Sequence, residues 1–145
     1  MSFPGTASLQ DAATDVAFVP VPYGMCTKCA VHAGFLASYN SIAGDLKTLL
    51  HKKLKAHPEY KITITGHSLG GALAQLAYAD FKDKNYNVKE AYTYGQPRVG
   101  NQAFADYIDK LAGATATAGA YHRTTHTFGK GRCNGESIDD ADTRE

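Results

Sequence analysis

Gly66-His67-Ser68-Leu69-Gly70 sets a serine between two glycines, the G-x-S-x-G spacing of a nucleophile elbow. For its hydroxyl to stand at the tip of a strand-to-helix turn, Ser68 must take strained backbone angles. Glycines at 66 and 70 let strand and helix approach without side-chain collision. The helix that follows aims free N–H groups, that of Leu69 among them, at negative charge developing on a substrate oxygen. The chemistry such a turn serves is acyl transfer through a covalent serine intermediate. A glycine-rich turn that happens to hold a serine is the competing reading. The strand before it and the helix after it weigh against that.

A second constellation is Cys26-Thr27-Lys28-Cys29. A C-x-x-C redox pair needs a thioredoxin-like βαβ setting with the first cysteine at a helix N-terminus. A zinc site needs two more ligands, and only His32 is near. Cys133 has no evident partner, and three cysteines leave at least one unpaired within the chain. Among the six histidines, His67 adjoins Ser68 but projects from the opposite side of the turn. His32 is expected to pack or bond near the start of a helix, and His51 and His57 read as solvated. None is a persuasive general base. Asp139, Asp140 and Asp142 lie in a polar stretch with nothing to hold them against a histidine.

The elements that must position these residues follow from periodicity. Leu9 to Asp15 has room for one or two helical turns, and the prolines of Phe18-Val19-Pro20-Val21-Pro22 impose an extended segment. Over residues 31–56, Phe35, Tyr39, Ile42, Leu46, Leu49 and Leu50 recur three or four apart, which predicts a helix ended by Pro58. Residues 61–65 alternate and are β-branched, a strand; residues 72–81, rich in alanine and leucine, are a helix. A strand is expected over 88–94, a helix over 101–111 and a strand over 120–127. Strands alternating with helices predict an α/β fold with a mostly parallel sheet.

Composition narrows the function classes. At 145 residues with 43% hydrophobic and 20% charged side chains, the chain suits one globular domain. A formal charge of +1 with no basic run gives no nucleic-acid footprint. No apolar stretch reaches the roughly 18 residues of a transmembrane segment, and the first ten residues do not read as a signal peptide. Residues 129–145 are charged and glycine-punctuated, and are expected to be a disordered tail.

Five ordered segments resemble the fungal class 3 lipases, the filamentous-fungal triacylglycerol lipases and feruloyl esterases. They are Ser2-Phe3-Pro4-Gly5-Thr6, Cys26 through Phe35, Ile64 through Ala74, Tyr92 through Asn101, and Arg123-Thr124-Thr125-His126-Thr127. The resemblance covers residues 2–128 and implies a partial α/β-hydrolase domain over that range, truncated at both ends. It implies carboxylic-ester substrates, with Ser68 as nucleophile and Thr6 and Leu69 supplying the oxyanion-hole donors. It further implies a Cys26–Cys29 disulfide, a secreted enzyme, transient contact with a lipid interface, and no cofactor or metal. Residues 9–17 align with the family's lid but carry few large apolar groups, which weakens the expectation of strong interfacial activation. His67 and His126 are structural in the family pattern.

Two departures matter. Gly129 stands where the family has its catalytic aspartate, and the family's histidine would fall beyond residue 145. The expectation is therefore an impaired ester hydrolase; the alternative is a catalytically inactive, lipid-binding remnant from a truncated gene model.

Overall fold

The computed structural model describes residues 1–5, 18–113 and 119–125. Its elements in chain order are β1 (Ser2–Phe3), β2 (Pro20–Pro22), β3 (Ala30–His32), α1 (Ala33–Ala56), β4 (Ile62–His67), α2 (Leu69–Asp83), β5 (Val88–Tyr94), α3 (Gln102–Ala112) and β6 (Tyr121–Thr124). Four strands form a parallel sheet in the order β1-β4-β5-β6; β2 and β3 pair antiparallel as a separate ribbon.

The β-branched run of β4 builds the sheet's centre. Ile62 and Ile64 are buried and Thr63 is exposed, the alternation of a strand with unlike faces. Helix α2 lies against β4 and β5 and is flanked by α1 and α3. Its alanines at 72, 74, 77 and 79 are all fully buried, which brings the helix close to the sheet. The expected strand over 88–94 matches β5.

Several boundaries differ from expectation. Val31 and His32 belong to β3 rather than to the following helix, because they pair with Val21 and Pro20 of β2 and the His32 N–H donates to the Val99 carbonyl at 2.8 Å. His32 instead caps α1: its Nδ1 accepts from the N–H groups of Gly34 and Phe35 at 3.1 and 3.4 Å. Helix α2 begins at Leu69, three residues before the alanine-rich run, since the turn at Ser68 launches it directly. In the last described strand, pairing stops at Thr124, and residues 126–127 of the expected strand lie outside the described residues.

Helices α1 and α2 are joined by a buried carboxylate. Asp80, 2% exposed, accepts from the Tyr39 hydroxyl at 2.6 Å and pairs with the ammonium groups of Lys47 at 2.7 Å and Lys84. Burial would push the Asp80 carboxyl up. Hydrogen bonds from Lys47, Lys84 and Tyr39 outweigh it and hold the group below its ordinary value.

Asp80→Asn is expected to lower the unfolding free energy by about 2 kcal/mol, read as a lower urea midpoint. Because the folded carboxyl titrates below its ordinary value, its contribution is complete above that value and is lost as pH falls through the folded one. The parent's stability should therefore fall more steeply below pH about 4 than the variant's. Parallel acid curves would show that Asp80 carries no such linkage.

Candidate active site

Ser68 sits between β4 and α2 with φ 54° and ψ −125°, left-handed territory for a residue bearing a side chain. Such strain costs on the order of 1–3 kcal/mol and persists only when the surroundings enforce it. Two bonds do so. The Ser68 N–H donates to the Tyr94 carbonyl at 2.9 Å, and the Ser68 carbonyl accepts from the N–H groups of Gly71 and Ala72 at 2.9 and 3.2 Å. The serine is thus held by its backbone, and its hydroxyl makes no capping bond to the helix.

The flanking glycines are required by close backbone approach. A Cβ on Gly66 would overlap the Gly70 carbonyl, and a Cβ on Gly70 would overlap the Phe3 carbonyl. Strand β1, the nucleophile turn and the first turn of α2 therefore meet backbone to backbone. The N–H of Leu69 has no partner among the described residues. It is one of the donors a helix start leaves over, at its positive end.

His67 is exposed, with its ring beside the backbone of Gly5 and Gly95. No described imidazole bonds the Ser68 hydroxyl. His32 is a helix cap, His57 stacks on Tyr60 at 4.4 Å, His122 stacks on Tyr92 at 4.7 Å, and His51 is exposed. Thr6, the lid-like residues 9–17, His126 and residues 129–145 lie outside the described residues.

Behind the turn is a polar network that sequence reasoning missed. The Gln96 amide nitrogen donates to Gln75 Oε1 at 2.7 Å, and the Tyr121 hydroxyl donates to Gln96 Oε1 at 2.6 Å. Arg123 Nη2 donates to the Gln96 carbonyl at 2.8 Å, while its buried Nε has no partner among the described residues. Burial pushes the Tyr121 hydroxyl up, so it remains a neutral donor. Residues 75, 96 and 121 meet only through the strand register, a signal that no local pattern carries.

Cys26 and Cys29 are joined by a disulfide, Cα atoms 5.5 Å apart. That removes the redox-thiol and zinc readings of the pair in this state. Among the described residues no group of three or more His, Cys, Asp or Glu side chains could hold a metal ion. No described helix is long and apolar enough to cross a membrane.

The family model for Lipase (class 3) matches residues 1–133. The chain is 38% identical over 128 residues to a lipase of Rhizomucor miehei, covering 86% of this chain and 34% of that one. It is 35% identical over 127 residues to secreted mono- and diacylglycerol lipase A of Penicillium cyclopium, covering 88% and 39%. Among solved structures, lipase II from Rhizopus niveus superposes with a TM-score of 0.73 at 39% identity, over 84% of this chain and 45% of that one. The chain thus spans about a third of the length of the curated relatives it matches. The parallel sheet and its helices are part of the α/β-hydrolase fold of these neighbours.

The close approach at the turn predicts opposite outcomes for two glycines. Gly70→Ala should destabilise by about 1–3 kcal/mol, because the Phe3 carbonyl must move. Gly44→Ala, in α1 with nothing within 4 Å of the new methyl, should stabilise by about 0.5–1 kcal/mol. Urea midpoints of the two variants check the pair, and equal shifts would refute the turn's geometry.

Proposed function

This chain belongs to the class 3 lipase family, and from that premise we propose that it carries the nucleophile of a carboxylic-ester hydrolase acting on lipid esters, with Ser68 in that role. The observation that carries the reading is the strained serine at the β4–α2 junction, beside the Leu69 N–H, which has no partner among the described residues. In this mechanism Ser68 Oγ attacks the ester carbonyl, and the carbonyl oxygen becomes a tetrahedral oxyanion. The Leu69 N–H, with a second donor from Thr6, stabilises that charge. The alcohol leaves, and water releases the acid from the acyl-serine.

The proton of Ser68 must go to a base, and no described imidazole is bonded to it. Without one the hydroxyl keeps a pKa far above 7 and attacks slowly. Loss of the histidine alone costs on the order of 10⁶ in turnover in a serine hydrolase. The lack of a bonded base among the described residues supports reading the chain as an impaired hydrolase. The same observation favours a second reading, a lipid-binding protein without turnover. Acylglycerols are the proposed substrate class, supported by the mono- and diacylglycerol lipase relatives. Secretion is supported by those relatives' description and by the disulfide. Contact with a lipid interface would be transient.

Fluorophosphonate labelling tests this reading. The expected result is labelling that Ser68→Ala abolishes, at a rate at least about 10³-fold below that of a family member with a complete triad. Labelling at the intact enzyme's rate would mean that a base is present. Labelling that survives Ser68→Ala would remove Ser68 from the mechanism, and no labelling at all would favour the lipid-binding reading.

A further inference from the structure

We infer that Gln96 is a positioning residue for Ser68, the buried brace that fixes the angle between the nucleophile turn and α2. The inference rests on the assignment of Ser68 as nucleophile, since only then does the direction of its hydroxyl matter.

The N–H of Ser68 donates to the Tyr94 carbonyl, so the turn is tied to the segment that leaves β5. That segment is in turn anchored through Gln96. The side-chain amide nitrogen bonds Gln75 on α2, seven residues along the helix that Ser68 begins. The amide oxygen accepts from Tyr121 on β6, and the backbone carbonyl accepts from Arg123 on the same strand. The links close a ring: Ser68 to Tyr94, along the chain to Gln96, across to Gln75, and back up α2 to Ser68. Tilting α2 would stretch the Gln96–Gln75 bond or the Ser68–Tyr94 bond.

Packing alone does not explain this residue. Gln96 is 3% exposed, and burying a primary amide is unfavourable unless its groups are paired. A hydrocarbon of similar size would fill the space with less polar cost. Both ends of the amide are instead used on different elements, which gives the side chain one orientation. A Cβ built on Gly71 would lie 3.1 Å from the Gln96 Cβ, so the brace rests directly against the first turn of α2.

Amide hydrogen exchange in the full chain tests the brace without requiring ester cleavage. The readout is the exchange rate of the Ser68 amide relative to that of Ile64 inside β4. Gln96→Ala should raise that ratio about tenfold or more. Tyr121→Phe, which keeps the ring and removes only the hydroxyl, should raise it by a smaller factor and keeps the test open if the alanine variant does not fold. Fluorophosphonate labelling of Ser68 should slow in the same order. An equal change at both amides, or no change at either, would make Gln96 a general packing residue and overturn the inference. If the exchange ratio rises while labelling proves independent of Ser68, the brace stands and the nucleophile assignment falls.

Discussion

At Ser68 three stretches of backbone touch with no side chain between them, and the rest of the arrangement follows from that contact. The Phe3 carbonyl lies against Gly70, and the Gly70 carbonyl lies against Gly66. Strand β1, strand β4 and the start of α2 are locked at distances that only hydrogen atoms at Cα permit. The strained angles of the serine follow, because the chain must reverse from sheet to helix within one residue. The surroundings enforce the turn through the Tyr94 carbonyl and the first bonds of α2.

A close turn needs a rigid frame on the far side of the helix. Asp80 supplies part of it, gathering Tyr39 and Lys47 of α1 and Lys84 beyond α2 onto one carboxylate. The other part is hydrophobic: Leu76, Tyr78 and Phe81 are fully buried. The two parts differ in what they fix. Apolar packing holds α2 in place, whereas the carboxylate and the Gln75–Gln96 bond set its rotation and tilt.

The elbow and the order of strands and helices were legible in the sequence because both are local. A β-branched run, a glycine turn and an alanine-rich run are written in neighbouring residues, and β5 matches its expected bounds. Strand β3 was not legible. Its residues abut a helix and share its apolar spacing, while the pairings that decide their state, with β2 and with Val99, lie outside the helical window. The start of α2 was read late because Gly70 and Gly71 are poor helix formers; the tertiary turn overrides that preference. Asp80 sits in a helix where an acid ordinarily reads as surface, and its partners at 39 and 47 carry no pattern linking them to it. The Thr6 part of the expected oxyanion hole lies outside the described residues.

Asn101 has a consequence for how the chain reaches this state. Its Oδ1 accepts from the N–H groups of Phe104 and Ala30, and its Nδ2 donates to the Lys28 carbonyl. One side chain thereby caps α3 and clamps the disulfide turn, across 71 to 73 positions of sequence. The parallel pairing of Ser2 with Thr65 spans a similar separation. Contacts of that range must be closed against chain entropy before they return any stabilisation, which raises contact order and slows folding. The helices can form early from local signals. The α3 cap and the strand β1 depend on such distant partners, and so does the final shape of the nucleophile turn, which is wedged against β1.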